Sequence, residues 1–171
     1  MDYLLAHGAG CVCVLDVSGS ALRRARARLG DAADSATWIE TDVTAEWATP
    51  TVDIWHDRAV FHFLTDLSEQ DRYIVRLRSA LRPRGFAIIA TFALDGPEKC
   101  SGLPVARYSP ESLAERLGAD FMLVDARKHA HRTPWGGTQA FQYSRLLRAQ
   151  RPPLVRSKAP PLVCPAVSVV A

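Results

Sequence analysis

Two short apolar runs and one β-rich run in this chain each stop at an acid. Residues 11–15 end at Asp16, residues 37–41 at Asp42, and residues 52–55 at the pair His56-Asp57. An ionised carboxylate accepts hydrogen bonds from two neighbouring hydroxyls without an intervening water. In an open α/β sheet, ligands bind outside the carboxyl ends of the strands, where an acid commonly takes the hydroxyls of a ribose. Asp16, with Val17 beside it, is therefore the first residue to place in a nucleotide-like site. Asp42, one strand outward, is placed to accept from the exocyclic amine of an adenine, with Val43 packing on the ring. Two cofactors fit such a rim: a nicotinamide dinucleotide and S-adenosylmethionine.

The elements that must carry these residues follow from local pattern. The run 11–15 is unbroken and valine-rich, as in a strand covered on both faces. Ser18 or Ser20 offers an N-cap, and residues 21–29 are good helix formers with arginines outward, closed by Gly30. Residues 2–7 are too few for a stable isolated helix and read as its last turns. Residues 37–41 and 52–55 read as the second and third strands. Ser68 is expected to cap a helix in which Tyr73, Leu77 and Leu81 repeat at helical spacing, stopped by Arg82-Pro83-Arg84-Gly85. Residues 86–92 are the strongest strand. Ser109-Pro110-Glu111 has the order of N-cap then proline at N1. Strands are expected at 121–125 and 139–147, with 129–137 as a turn-rich connection. The alternation predicts an α/β fold, a Rossmann-like, mostly parallel sheet with helices on both faces and an antiparallel hairpin at one edge. Residues 1–148 form the expected domain. Prolines at 152, 153, 160, 161 and 165 predict a disordered tail over 149–171.

Composition narrows the partners. At 171 residues, with 48% hydrophobic and 23% charged residues, the chain suits one globular domain. The net charge of +3 is mild and the basic residues are scattered, which argues against nucleic acid as a partner. Cys11, Cys13, Cys100 and Cys164 lack paired metal spacing, so no metal is expected. Four thiols and no secretion signal point to the cytoplasm, and no run reaches the roughly 18 apolar residues of a membrane span.

The segments VLDVSGSALRRARARL, TDVT, VDIWHDRAVFHFL and LRSALRPRGFAIIATF together resemble the class I S-adenosylmethionine-dependent methyltransferases. The likeness spans about residues 2–148 and is most specific at 52–64 and 77–92; IWHDRA is more weakly similar to the thiopurine methyltransferase branch. It implies S-adenosylmethionine as cofactor, with Asp16 on the ribose, Asp42 on the adenine, and residues 53–62, Asp57 included, lining the methionine end and the transfer site. It also implies a first strand and a glycine-rich turn that should lie before residue 2. In that family this strand sits between the ones read here at 11–15 and 52–55. Its loss predicts two unpaired inner edges, each orphaned backbone group costing about 1–3 kcal/mol. The sequence thus reads as a fragment, or one whose start is set too far downstream, binding cofactor poorly. Short-chain dehydrogenases share an Asp-Val after their third strand but require Tyr-x-x-x-Lys. Tyr3, Tyr73, Tyr108 and Tyr143 are followed four positions on by His7, Leu77, Ser112 and Leu147, which disfavours that alternative.

Methyl transfer from a sulfonium is an in-line displacement that needs position and a dry site more than a base. His56 and Asp57 are the catalytic candidates, His56 as a base for an oxygen or nitrogen acceptor. His62, inside an aromatic run, reads as a packed core residue. Arg58, Arg107, His131 and Gln139 are the substrate-binding candidates, with Lys99, Cys100 and Trp135 near them in the loops over 95–108 and 131–141. The acceptor is expected to be a small molecule, with a protein side chain as the other choice. The competing readings are a non-catalytic remnant of the fold and an NAD(P)-binding protein.

Overall fold

The computed structural model describes residues 2–7, 9–133, 136–150 and 166–170. Four helices surround one seven-stranded sheet: α1 (Asp2–Ala6), α2 (Gly19–Leu29), α3 (Leu67–Ala80) and α4 (Pro110–Leu117). The sheet holds β1 (Cys11–Asp16), β2 (Ala36–Glu40), β3 (Val52–Arg58), β4 (Leu81–Phe92), β7 (Phe121–Arg132), β8 (Thr138–Arg148) and β9 (Ala166–Val170). A separate two-stranded ribbon pairs β5 (Lys99–Cys100) with β6 (Leu103–Pro104). Strand order across the sheet is β2-β1-β9-β3-β4-β8-β7. The first five are parallel, and the β7–β8 hairpin is the antiparallel edge.

Local chemistry explains where the helices start. The Ser18 hydroxyl accepts from the Ala21 N–H at 3.2 Å, and Gly30 at φ 58° ends α2. Asp66, not Ser68, caps α3, because its carboxylate accepts from the Ser68 and Glu69 N–H groups. Ser109 and Pro110 open α4 in the expected order. Side chains alternate across a strand, so β1 feeds two cores. Val12 and Val14 pack with Leu22 of α2 and with Leu4 and Leu5 of α1. Leu15 faces the other way, into the larger core with Trp55, Ile89, Tyr73 and Leu77, and with Leu113 and Leu117 of α4.

Three expectations are corrected. β3 runs to Arg58, so His56 and Asp57 are strand residues rather than residues beyond its end. β7 extends to Arg132, which shortens the expected connection to the few residues after it. The largest correction concerns the tail. Residues 151–165 lie outside the described residues, but Ala166–Val170 form a strand in the middle of the sheet, so 149–171 is not wholly a disordered tail and the domain does not close at 148. β9 pairs in parallel with β1 from Cys11↔Ala166 to Leu15↔Val170, and with β3 from Ile54↔Val167 to Asp57↔Val170. The inner edges of β1 and β3, expected to be unpaired, are both occupied.

Candidate functional site

Asp16 is the last residue of β1, and its Oδ1 accepts the Ser18 N–H at 2.7 Å. This short turn fixes the carboxylate at the mouth of α2. Asp42 follows β2 in the same manner: its Oδ1 accepts the Thr44 N–H at 2.7 Å and the Thr44 hydroxyl at 2.8 Å. In each case one oxygen is spent on orientation. The other takes no hydrogen bond among the described residues.

These two acids line one cavity of about 570 Å³, together with Val17 and Val43. Val43 is buried and forms part of the floor with Leu15, while Val17 is exposed at the rim. The opposite wall is Ala59, Val60 and the segment from Phe63 to Thr65, and Leu103-Pro104 of β6 closes a third side. Asp16 and Asp42 are the only ionisable residues of this lining among the described residues. The volume is that of a small-molecule site, apolar with a few placed polar groups. A flat apolar ring and a hydroxylated sugar match that pattern, and among the described residues the lining has no cation to hold a phosphate.

Asp57 stands elsewhere. Its carboxylate is fully buried, with Oδ1 accepting the Val60 N–H at 2.8 Å and Oδ2 accepting the Phe61 N–H at 3.0 Å and the Tyr73 hydroxyl at 2.6 Å. The Tyr73 hydroxyl in turn accepts the Trp55 indole N–H at 2.9 Å. Burial pushes the Asp57 carboxyl up to about 6, against the opposing pull of those three hydrogen bonds. Asp57 therefore does not reach a ligand as expected; it holds the backbone of Val60, a wall residue. The cause is the extra length of β3, which turns this side chain inward toward α3.

His56 lies on the other face of β3, level with Ile88 and Val169 and below the rim, outside the lining. Burial, with the charge of Arg58, lowers its pKa. Arg58 is exposed and also outside the lining. Arg107 is committed to its own loop, donating to the Gly96 carbonyl and to Glu98 Oε1. His131 and Gln139 face each other across the β7–β8 hairpin, past the level where Phe141 pairs with Phe92 at the end of β4. Lys99 and Cys100 are in β5, beside the wall rather than in it, and Trp135 lies outside the described residues.

Ala59 and Val60 fall within the expected 53–62 segment, whereas the wall from Phe63 to Thr65 was missed. The signal was the apolar segment after the third strand, which here forms a 3-10 turn over Phe61–Phe63. His62 in that turn is fully buried among Phe63, Phe92 and Phe141. Neither ring nitrogen has a partner among the described residues, and burial lowers its pKa to about 4.

The arrangement of strands and helices matches solved structures. The chain is similar to a SAM-dependent methyltransferase from Methanosarcina mazei, at 12% identity over 88% of each chain with a TM-score of 0.66. It is similar to the N-methyltransferase NodS from Bradyrhizobium japonicum WM9, at 13% identity over 87% of this chain and 94% of that one, TM-score 0.63. A third is the 1,6-didemethyltoxoflavin-N1-methyltransferase of Burkholderia thailandensis, solved with 1,6-didemethyltoxoflavin and S-adenosylhomocysteine, at 19% identity over 86% and 76%, TM-score 0.59. The fold is that of the class I methyltransferases. Neither a protein-family profile nor a curated protein matches the sequence. In the methyltransferase fold as built here, β9 takes the central position that the sequence had left empty.

Proposed function

We propose that this chain binds S-adenosylmethionine in the cavity between Asp16 and Asp42 and transfers its methyl group to a small molecule. One observation carries the reading: two carboxylates, each with an oxygen to spare, share an apolar cavity with no cationic side chain among the described residues. A dinucleotide would bring a pyrophosphate into a lining that, among the described residues, offers it two acids and no cationic side chain. Like charges at close range are unfavourable, the more so beside low-dielectric walls. S-Adenosylmethionine brings instead a sulfonium and an ammonium, which the acids attract. The dehydrogenase alternative is disfavoured by the sequence, in which no tyrosine is followed four positions on by lysine.

When bound, the cofactor supplies a methyl group already activated by the sulfonium. The residues of the chain bind, orient and exclude water. Asp16 takes the ribose hydroxyls, Asp42 the adenine amine, and Val43 and Val60 the faces of the ring system. Asp57 acts through Val60 as a positioning residue, and His56, below the rim, has no part in the transfer. His131 and Gln139 rise past the ends of the strands on the side where the cavity opens, and form the wall an acceptor meets. The small-molecule acceptor is supported by the fold's occurrence in a protein solved with 1,6-didemethyltoxoflavin bound.

Titration of the full chain with S-adenosylhomocysteine and, separately, with NAD⁺ tests the reading. Saturable binding of the first and none of the second is expected. Preference for the dinucleotide would overturn it.

A further inference from the structure

The row Leu147–Phe86–Ile54–Val167 runs straight across the sheet, joining β8, β4, β3 and β9 by successive pairings. The chain thus leaves the sheet after β8 and returns to it as β9 at one rim, three strand spacings apart. At about 4.8 Å per spacing that is about 14 Å, whereas residues 149–165 extended would reach about 55 Å. No passage from one rim to the other is needed. At its far end β9 stops where Val170 is level with Leu15 on one side and Asp57 on the other. Leu15 lines the cavity, and Asp57 holds the Val60 wall opposite it.

Taken without β9, strands β1 and β3 stand two spacings apart, about 9.6 Å, with unpaired backbone facing across a gap one strand wide. Such a gap accepts an extended segment running parallel to both, entered from the amino rim. Backbone pairing of this kind requires little of side-chain identity, as in other cases of strand addition. A parallel pairing also contributes nothing until the long connection is closed, so insertion is a separable step.

We propose that the slot between β1 and β3 is a strand-acceptor site filled by Ala166–Val170 of the same chain, and that filling it sets the width of the nucleoside cavity. The strands that lead into the two cavity walls, β1 into Asp16-Val17 and β3 into Ala59-Val60, have β9 as their common neighbour in the sheet, paired as far as Leu15 and Asp57. Ligand binding and strand insertion are then coupled. Each favours the other by the same factor, as linkage requires. The coupling rests on the reading of the cavity as an S-adenosylmethionine site; the insertion itself does not.

Hydrogen exchange on the full chain, with and without S-adenosylhomocysteine, tests both parts. The amides of 167–170 are expected to be protected as strongly as those of β3, and more strongly with ligand. Ser168→Pro removes a ladder N–H in a central strand. It is expected to weaken S-adenosylhomocysteine binding at least tenfold, with recovery on adding excess synthetic peptide of sequence CPAVSVVA. Exchange of 167–170 at the unstructured rate while β1 and β3 stay protected overturns the insertion, whatever the ligand does. Equal affinity of Ser168→Pro and the unaltered chain overturns the coupling. A stable dimer that Ser168→Pro converts to monomer overturns the same-chain assignment. Protected amides in a chain that binds no S-adenosylhomocysteine overturn the cofactor reading and the coupling with it, and support the insertion alone.

Discussion

Asp16, the last residue of β1, and Asp42, two residues past the adjacent parallel β2, face the same cavity, and each is anchored by the N–H of the residue two positions on. The anchoring fixes one carboxylate oxygen and presents the other. Hydrogen bonds to charged groups contribute about 1.5–3 kcal/mol, so Asp42→Ala should weaken S-adenosylhomocysteine binding by about 10–100-fold. Asp42→Asn keeps an acceptor and should lose less. Calorimetric titration of the two variants checks the ranking.

The buried chain Trp55–Tyr73–Asp57 is held by hydrogen bonds, with no cation paired to the acid among the described residues. Tyr73→Phe leaves the Trp55 indole N–H without its partner and removes a donor from Asp57. A loss of about 1–3 kcal/mol in stability is expected for each buried group left unpaired, read by chemical denaturation. Because Asp57 orients the Val60 wall, Asp57→Ala should lower ligand affinity as well as stability.

Asp57 and His62 should tilt the pH dependence of stability in opposite directions. The folded pKa of Asp57, about 6, lies above the ordinary aspartate value of 3.8. The folded state therefore binds the extra proton, and this contribution is lost as pH rises through 6, to a total of about 3 kcal/mol. The folded pKa of His62, about 4, lies below 6.5. Here the unfolded state takes the proton first, and stability is lost as pH falls from 6.5 toward 4 by a similar amount. Relative to the unaltered chain, His62→Phe should gain stability on going from pH 7 to pH 4, and Asp57→Asn should lose it. Denaturation curves at the two pH values check this; parallel shifts in both variants would contradict it.

Leu103, exposed on β6, lines the cavity beside Pro104. Leu103→Asp adds a third acid and removes an apolar contact. It should weaken adenosyl-ligand binding several-fold while leaving the unfolding midpoint within about 0.5 kcal/mol, as surface changes usually do.

How much of this was legible in the chain differs from element to element. The unit from β1 through Gly30 was readable because its signals are local: an apolar run, a capping serine, helix formers and a terminal glycine. Asp16 and Asp42 were readable for the same reason, each sitting at or just past the end of a strand. Asp57 was not, since its role is decided by Tyr73 and by the backbone of Val60 and Phe61. A polar residue after an apolar run looks like a strand end unless partners inside are known. β9 was hidden more deeply. Five residues behind a proline-rich stretch carry little pattern, and what makes them a strand is the gap between β1 and β3. The hairpin edge was expected, but its reach past the rim at His131 and Gln139 depends on pairing that no local signal fixes.

The most direct test is a titration of the full chain and of Asp16→Ala with S-adenosylhomocysteine, followed by calorimetry. Saturable one-site binding by the unaltered chain, and loss of at least tenfold in affinity with Asp16→Ala, is the expected result. Equal binding by both would separate the ligand from the carboxylates, and the methyl-transfer proposal would fall.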